Sequence, residues 1–207
     1  MATNIDSGIG QNEAVPGSRG KLYLLIALFF APLLLAFLLY YGADGWRPAG
    51  STNNGDLITP ARPLPEATLQ TPEGADLKVS ALHGKWTLVY IGPGECDARC
   101  REALTLMRQT RLALNDDMAR VQRLFLATGE CCDRTYLDAE HAGLMIASTS
   151  DSNFMATFRR DAKPVEQAGR IYIVDPLGNL MMSYDPGAKP KGLLEDLKKL
   201  HKLSHIG

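Results

Sequence analysis

The segment WTLVYIGPGECDARCREALTLMRQTRLAL, residues 86–114, holds a strand, a sharp turn, two cysteines and a helix in that order. Trp86–Ile91 is an uninterrupted apolar run rich in β-formers, which predicts a strand buried on both faces, and Gly92-Pro93-Gly94 stops it. From Asp97 to about Leu114, Ala103, Leu104, Met107, Leu112 and Leu114 recur near helical spacing, and Asn115-Asp116-Asp117 ends the run. Val121–Ala127 (VQRLFLA) is the next strand. A strand, a helix of this length and a second strand imply a right-handed βαβ crossover with parallel, adjacent strands.

Working outward, Thr68–Gln70 and Leu77–Val79 flank TPEGAD and form a short hairpin. Downstream the pattern predicts a helix at Tyr136–Ala142, a strand at Leu144–Ala147 and a helix at Asn153–Arg159. Arg170–Val174 and Leu180–Tyr184 surround the turn DPLGN as an antiparallel hairpin, and Gly192–Leu203 closes the chain as an amphipathic helix. That order describes an α/β fold, a thioredoxin-like sandwich over residues 66–207.

Ahead of it, Leu22–Tyr41 contains no charge, and its 20 residues span roughly 30 Å as a helix, the thickness of a bilayer core. This predicts one transmembrane helix at 22–41. The run is longer than a signal-peptide core and no A-x-A site follows it, so the anchor reads as uncleaved. Tyr23, Tyr40, Tyr41 and Trp46 lie toward the interfaces. Arg19 and Lys21 against Arg47 bias the amino end to the cytoplasm, making residues 1–21 a disordered cytoplasmic tail. Residues 42–65, rich in Pro and Gly, read as a flexible tether. Lys and Arg number 22 against 23 Asp and Glu, a balance that excludes a globally basic nucleic-acid binder.

The four cysteines fall in two close pairs. Cys96 and Cys100 share one face of a helix start, where the helix end lowers a thiol pKa, so they can bind Cu(I) or close a disulfide. The GPGE turn reads as exposed, which makes Cys96 the attacking and Cys100 the resolving sulfur; the bland alternative is two small residues packing beside the strand. Cys131 and Cys132 follow the next parallel strand and emerge at the same sheet edge. Neighbours in sequence bridge only through an eight-membered ring, so free thiols or a mixed bridge are expected of them, and incidental loop residues are the alternative. His141 is the histidine nearest this edge in sequence, and it, Cys131 and Cys132 are candidate additional metal ligands beside Cys96 and Cys100. His83, His201 and His205 read as solvated, and Met181-Met182 as core packing.

The stretches VYIGPGECDARCREAL and IYIVDPLGNLMMSYDPGAKPKGLLEDLKKL resemble the Sco/SenC family of membrane-anchored, thioredoxin-fold cytochrome oxidase assembly proteins. The resemblance implies a single-pass protein of a bacterial inner membrane with its carboxy-terminal domain in the periplasm. It implies a thiol–disulfide partner or Cu(I) carrier acting through Cys96 and Cys100, with cytochrome oxidase subunits or copper-delivery proteins as partners. The family's third copper ligand is a histidine before the penultimate strand. Matching IYIVDP to that strand puts Gln167 in its place, so the three-ligand copper site is not implied. Nor does a proline precede Arg170, where thioredoxins carry a cis-proline, which weakens a general thiol–disulfide oxidoreductase. A non-catalytic scaffold docking on the oxidase is the competing reading.

Overall fold

The computed structural model describes residues 19–42 and 52–204. Most of the expected tail, residues 1–18, and part of the expected tether, residues 43–51, lie outside the described residues, as does His205. The chain divides into two units, Met1–Gly50 and Ser51–Gly207.

In the first unit, α1 (Arg19–Gly42) begins within the expected tail, since Arg19 and Lys21 form its opening turn. Its apolar side chains from Leu22 to Leu38 are exposed, and Arg19–Leu39 is long and apolar enough to cross a membrane.

In the second unit the main sheet runs β1-β8-β7-β4-β5-β6. Its strands are β1 (Asp56–Pro63), β4 (Trp86–Pro93), β5 (Val121–Thr128), β6 (Leu144–Ala147), β7 (Ile171–Val174) and β8 (Asn179–Tyr184); β2 (Thr68–Gln70) and β3 (Asp76–Lys78) form the small hairpin. β4, β5 and β6 are parallel, and β7 joins β4 antiparallel on the other side. The helices are α2 (Ala98–Leu112), α3 (Arg134–Glu140), α4 (Ser152–Thr157), α5 (Val165–Ala168) and α6 (Pro190–Leu203). β4 is central because successive side chains serve opposite faces. Leu88 and Tyr90 join a core with α2 and α6, including Leu104, Met107, Leu193 and Leu197. Val89 and Ile91 join a second core with Leu69, Phe154, Phe158 and Val165.

Two expectations are corrected here. Part of the expected tether is built into the sheet, since Asp56–Pro63 pairs with β8 as an edge strand. Pro60 and Pro63 hid it in the sequence, because a strand with prolines is tolerated only where one side lacks a partner. A buried carboxylate secures this end: Asp196 on α6 accepts hydrogen bonds from the Asn54 amide at 2.7 Å, the Gly55 amide at 2.9 Å and the Tyr184 hydroxyl at 3.0 Å. His201, expected in solvent, is buried on the inner face of α6 with its ring centroid 6.0 Å from that of Trp86.

Candidate functional site

The register brings three loops to one edge of the sheet. Pro93 pairs with Thr128, so the loops after β4 and β5 leave together. Tyr90 pairs with Ile171 in the antiparallel partner, which brings the junction between α5 and β7, Gln167 to Arg170, to the same end of β4. Both pairs of cysteines lie in the first two of these loops.

After β4 the chain turns at once. The Gly94 amide donates to the Thr128 carbonyl at 3.0 Å, and the Cys96 amide donates to the Pro93 carbonyl at 3.0 Å. Cys96 then adopts φ 49°, a left-handed conformation that costs a non-glycine residue on the order of 1 kcal/mol and is concentrated at functional sites. Asp97 caps α2 by accepting the Cys100 amide at 2.9 Å. With Cys96 just before the helix and Cys100 in its first turn, the Cα atoms stand 5.0 Å apart and the sulfurs close a disulfide. That separation lies within the ordinary range for a disulfide. Tyr90, also in this core, has its hydroxyl pKa pushed up by burial and then by Asp97.

The expectation of an exposed Cys96 is wrong: Cys96 is 1% and Cys100 0% exposed. The reason is Gly94. A β-carbon there would collide with the Glu130 carbonyl and stand 2.9 Å from the Cys131 Cα, so only glycine lets the 129–132 loop close down on the turn. Glu95 alone of GPGE is exposed.

Cys131 and Cys132 are joined as a vicinal disulfide across a cis peptide bond, which brings their Cα atoms to 3.2 Å. Free or mixed-bridged thiols were expected here; in the structure the two sulfurs are paired with each other. Cys131 is exposed, whereas Cys132 is half-buried and packs against the core that contains Cys96 and Cys100. Arg101 on α2 ties the two loops: its Nε donates to the Cys96 carbonyl at 3.3 Å, one Nη pairs with Asp133 at 3.2 Å, and the guanidinium lies 4.2 Å from the centre of the Tyr136 ring.

His141 is not brought to the sulfurs as a ligand. It is buried, with Nε2 3.1 Å from the Tyr136 hydroxyl and its ring edge-on to Tyr136. Burial first, then Arg108 and Arg123, lowers its pKa. Among the described residues no three His, Cys, Asp or Glu side chains converge into a metal-ligand set. Gln167 is exposed on α5, at the sheet end that carries the cysteines. Sequence reasoning missed Arg101 and Gly94, although a glycine two residues before Cys96 and an arginine one residue after Cys100 were legible as candidates for close approach and for a positive charge beside the thiols.

Beside this edge an open groove of about 540 Å³ runs between α2 and the loop before α6, lined by Arg101, Leu106, Gly169, Ile171 and Pro186 among others. The cysteines do not line it.

Comparison with solved structures finds this fold repeatedly. Apo Sco1 from Thermus thermophilus superposes with a TM-score of 0.56 at 20% identity, over 73% of this chain and 99% of that one. Copper-bound yeast Sco1 gives 0.56 at 16% identity, over 70% and 91%. BsSco, described as a member of the Sco family of cytochrome c oxidase assembly proteins with a disulfide switch, gives 0.53 at 14% identity, over 70% and 96%. At these identities the likeness establishes the thioredoxin-like fold. Comparison with curated proteins finds no match by sequence. The family model of the transmembrane-like, thioredoxin-like, C-terminal domain matches residues 86–204, from the first residue of β4 to the end of α6. With more than half of its length matched, the chain belongs to the family of proteins that carry this transmembrane-like, thioredoxin-like domain.

Proposed function

We propose that this is a membrane-anchored thiol–disulfide protein that serves assembly of the copper sites of cytochrome oxidase. The observation that carries the reading is the Cys96–Cys100 disulfide at the amino end of α2, just beyond the central strand. A dithiol there is stabilised as thiolate by the helix end, and it either exchanges with a partner's disulfide or holds Cu(I) as cargo. The Sco proteins of like fold support the oxidase context: one is solved with copper bound and another is described as an oxidase assembly protein. The anchor is α1, with the sulfur-bearing domain on the periplasmic side of a bacterial inner membrane, and the partners are oxidase subunits or copper-delivery proteins.

The donor set fits the cargo in one form only. Two soft sulfurs suit two-coordinate Cu(I), whereas Gln167 stands where the Sco/SenC pattern has its histidine and His141 is engaged with Tyr136. Cu(II), which prefers imidazole and oxygen, finds no third ligand among the described residues. Anaerobic Cu(I) titration of the reduced full chain in detergent tests this, beside the Cys96→Ala/Cys100→Ala variant. Tight binding that the variant loses supports the carrier role; binding unchanged in the variant overturns it.

The burial of both sulfurs favours a second reading, a non-catalytic scaffold. Under it the disulfide is structural and neither exchanges nor binds metal.

A further inference from the structure

Resting on the thiol–disulfide reading above, we propose that the Cys131–Cys132 pair is a second redox centre that passes electrons from an external dithiol to the buried Cys96–Cys100 disulfide. Thiol–disulfide exchange requires a line of approach to a sulfur, and the two pairs differ sharply in this respect. Cys96 and Cys100 are 1% and 0% exposed, so an incoming dithiol meets the surface loop over them first. Cys131 is exposed in the loop that covers them. Cys132, its bonded neighbour, packs inward on the same core as both buried sulfurs. The loops are held together by the glycine contact at Gly94 and by Arg101, which spans from the Cys96 carbonyl to Asp133, next to Cys132. The vicinal pair is therefore open to solvent at Cys131, while Cys132 packs on the core that contains Cys96 and Cys100.

The electron path balances. A thiolate of the donor dithiol attacks Cys131 Sγ, breaking the Cys131–Cys132 bond, and Cys132 leaves as a thiolate. The donor's second thiol attacks its own sulfur of the mixed disulfide, releasing Cys131 as a thiolate and leaving the donor oxidised. Cys132 then attacks Cys96 Sγ, and Cys100 leaves as a thiolate. Cys131 attacks Cys132, which restores the vicinal disulfide and releases Cys96. Two electrons have moved from the donor to the Cys96/Cys100 pair, and solvent supplies the protons.

The test uses the full chain in detergent with dithiothreitol as donor, acid quenching, alkylation and peptide mass spectrometry. In wild type, Cys131 and Cys132 should take label before Cys96 and Cys100. In Cys131→Ser/Cys132→Ser the Cys96–Cys100 disulfide should be reduced at least about tenfold more slowly, because the exposed point of attack is gone. A second variant, Cys100→Ser/Cys131→Ser, should form a Cys96–Cys132 disulfide on oxidation with oxidised glutathione, since these are the sulfurs that meet in transit. Unchanged reduction rates together with no Cys96–Cys132 bond overturn the relay while leaving Cys96–Cys100 a redox pair. A Cys96–Cys100 disulfide that no dithiol reduces in any folded variant overturns the underlying reading as well. Circular dichroism confirms that each variant is folded before its rate is read.

Discussion

Arg101→Ala removes the side chain that holds the two cysteine loops together, and the size of its effect follows from three contacts. The pair with Asp133 is about half exposed on both sides, so solvent screens it to roughly 0.5 kcal/mol. The hydrogen bond to the Cys96 carbonyl is long at 3.3 Å and contributes about 0.5 kcal/mol, the lower end for a net hydrogen bond. The guanidinium over Tyr136 adds about 1 kcal/mol as a partly desolvated cation–π contact. The total, about 2 kcal/mol, corresponds to roughly a 30-fold rise in the population of states with the loops apart. Amide hydrogen exchange reads that population at Gly94 and Cys96, whose donors are held by Thr128 and Pro93. Exchange there should quicken by about that factor while amides in β4 and β5 are unchanged. Exchange at Gly94 and Cys96 within twofold of wild type refutes the clamp.

Asp196→Ala removes the acceptor of four donors, the backbone amides of Asn54 and Gly55, the Asn54 side-chain amide and the Tyr184 hydroxyl, and should cost about 3–5 kcal/mol by urea unfolding; a loss under about 1 kcal/mol contradicts the anchoring of β1 to α6. Burial lowers the pKa of His201 and of His141, so the unfolded chain binds more protons than the folded one below the ordinary value of about 6.5. Stability should therefore fall as pH drops through about 6.5, and His201→Leu should flatten the slope between about pH 7 and 5; an identical slope in the variant overturns this assignment. Gln167→His should raise Cu(II) affinity at least about tenfold by supplying an imidazole at the cysteine edge, and the gain should vanish when Cys96 and Cys100 are also replaced; a gain that survives their loss places the metal elsewhere.

Much of the fold was legible because its strongest signals are local. The apolar run at β4, the DPLGN turn between β7 and β8 and the stripe of leucines on α6 each appear where the periodicity puts them, within one or two residues. β1 was hidden because its pairing with β8 is long-range and its prolines read as a linker. His201 was hidden because a polar residue on an amphipathic helix reads as solvated, and only the packing against Trp86 shows otherwise. At the site, the register alone predicts that the two cysteine loops emerge together. The depth of Cys96 was not legible: GPGE has the composition of an exposed turn, and its burial depends on a backbone segment more than 30 residues away closing on Gly94. The same holds for the inward side of Cys132.

The central claim is that Cys96–Cys100 is a redox pair and not a structural staple. Equilibration of the full chain in detergent across a series of dithiothreitol ratios, with the state of these two cysteines read by alkylation and mass spectrometry, measures it directly. The expected result is reversible two-electron titration between dithiol and disulfide while circular dichroism shows the domain folded throughout. A bond that stays oxidised at every ratio until the domain unfolds would contradict the claim and leave the scaffold reading in its place.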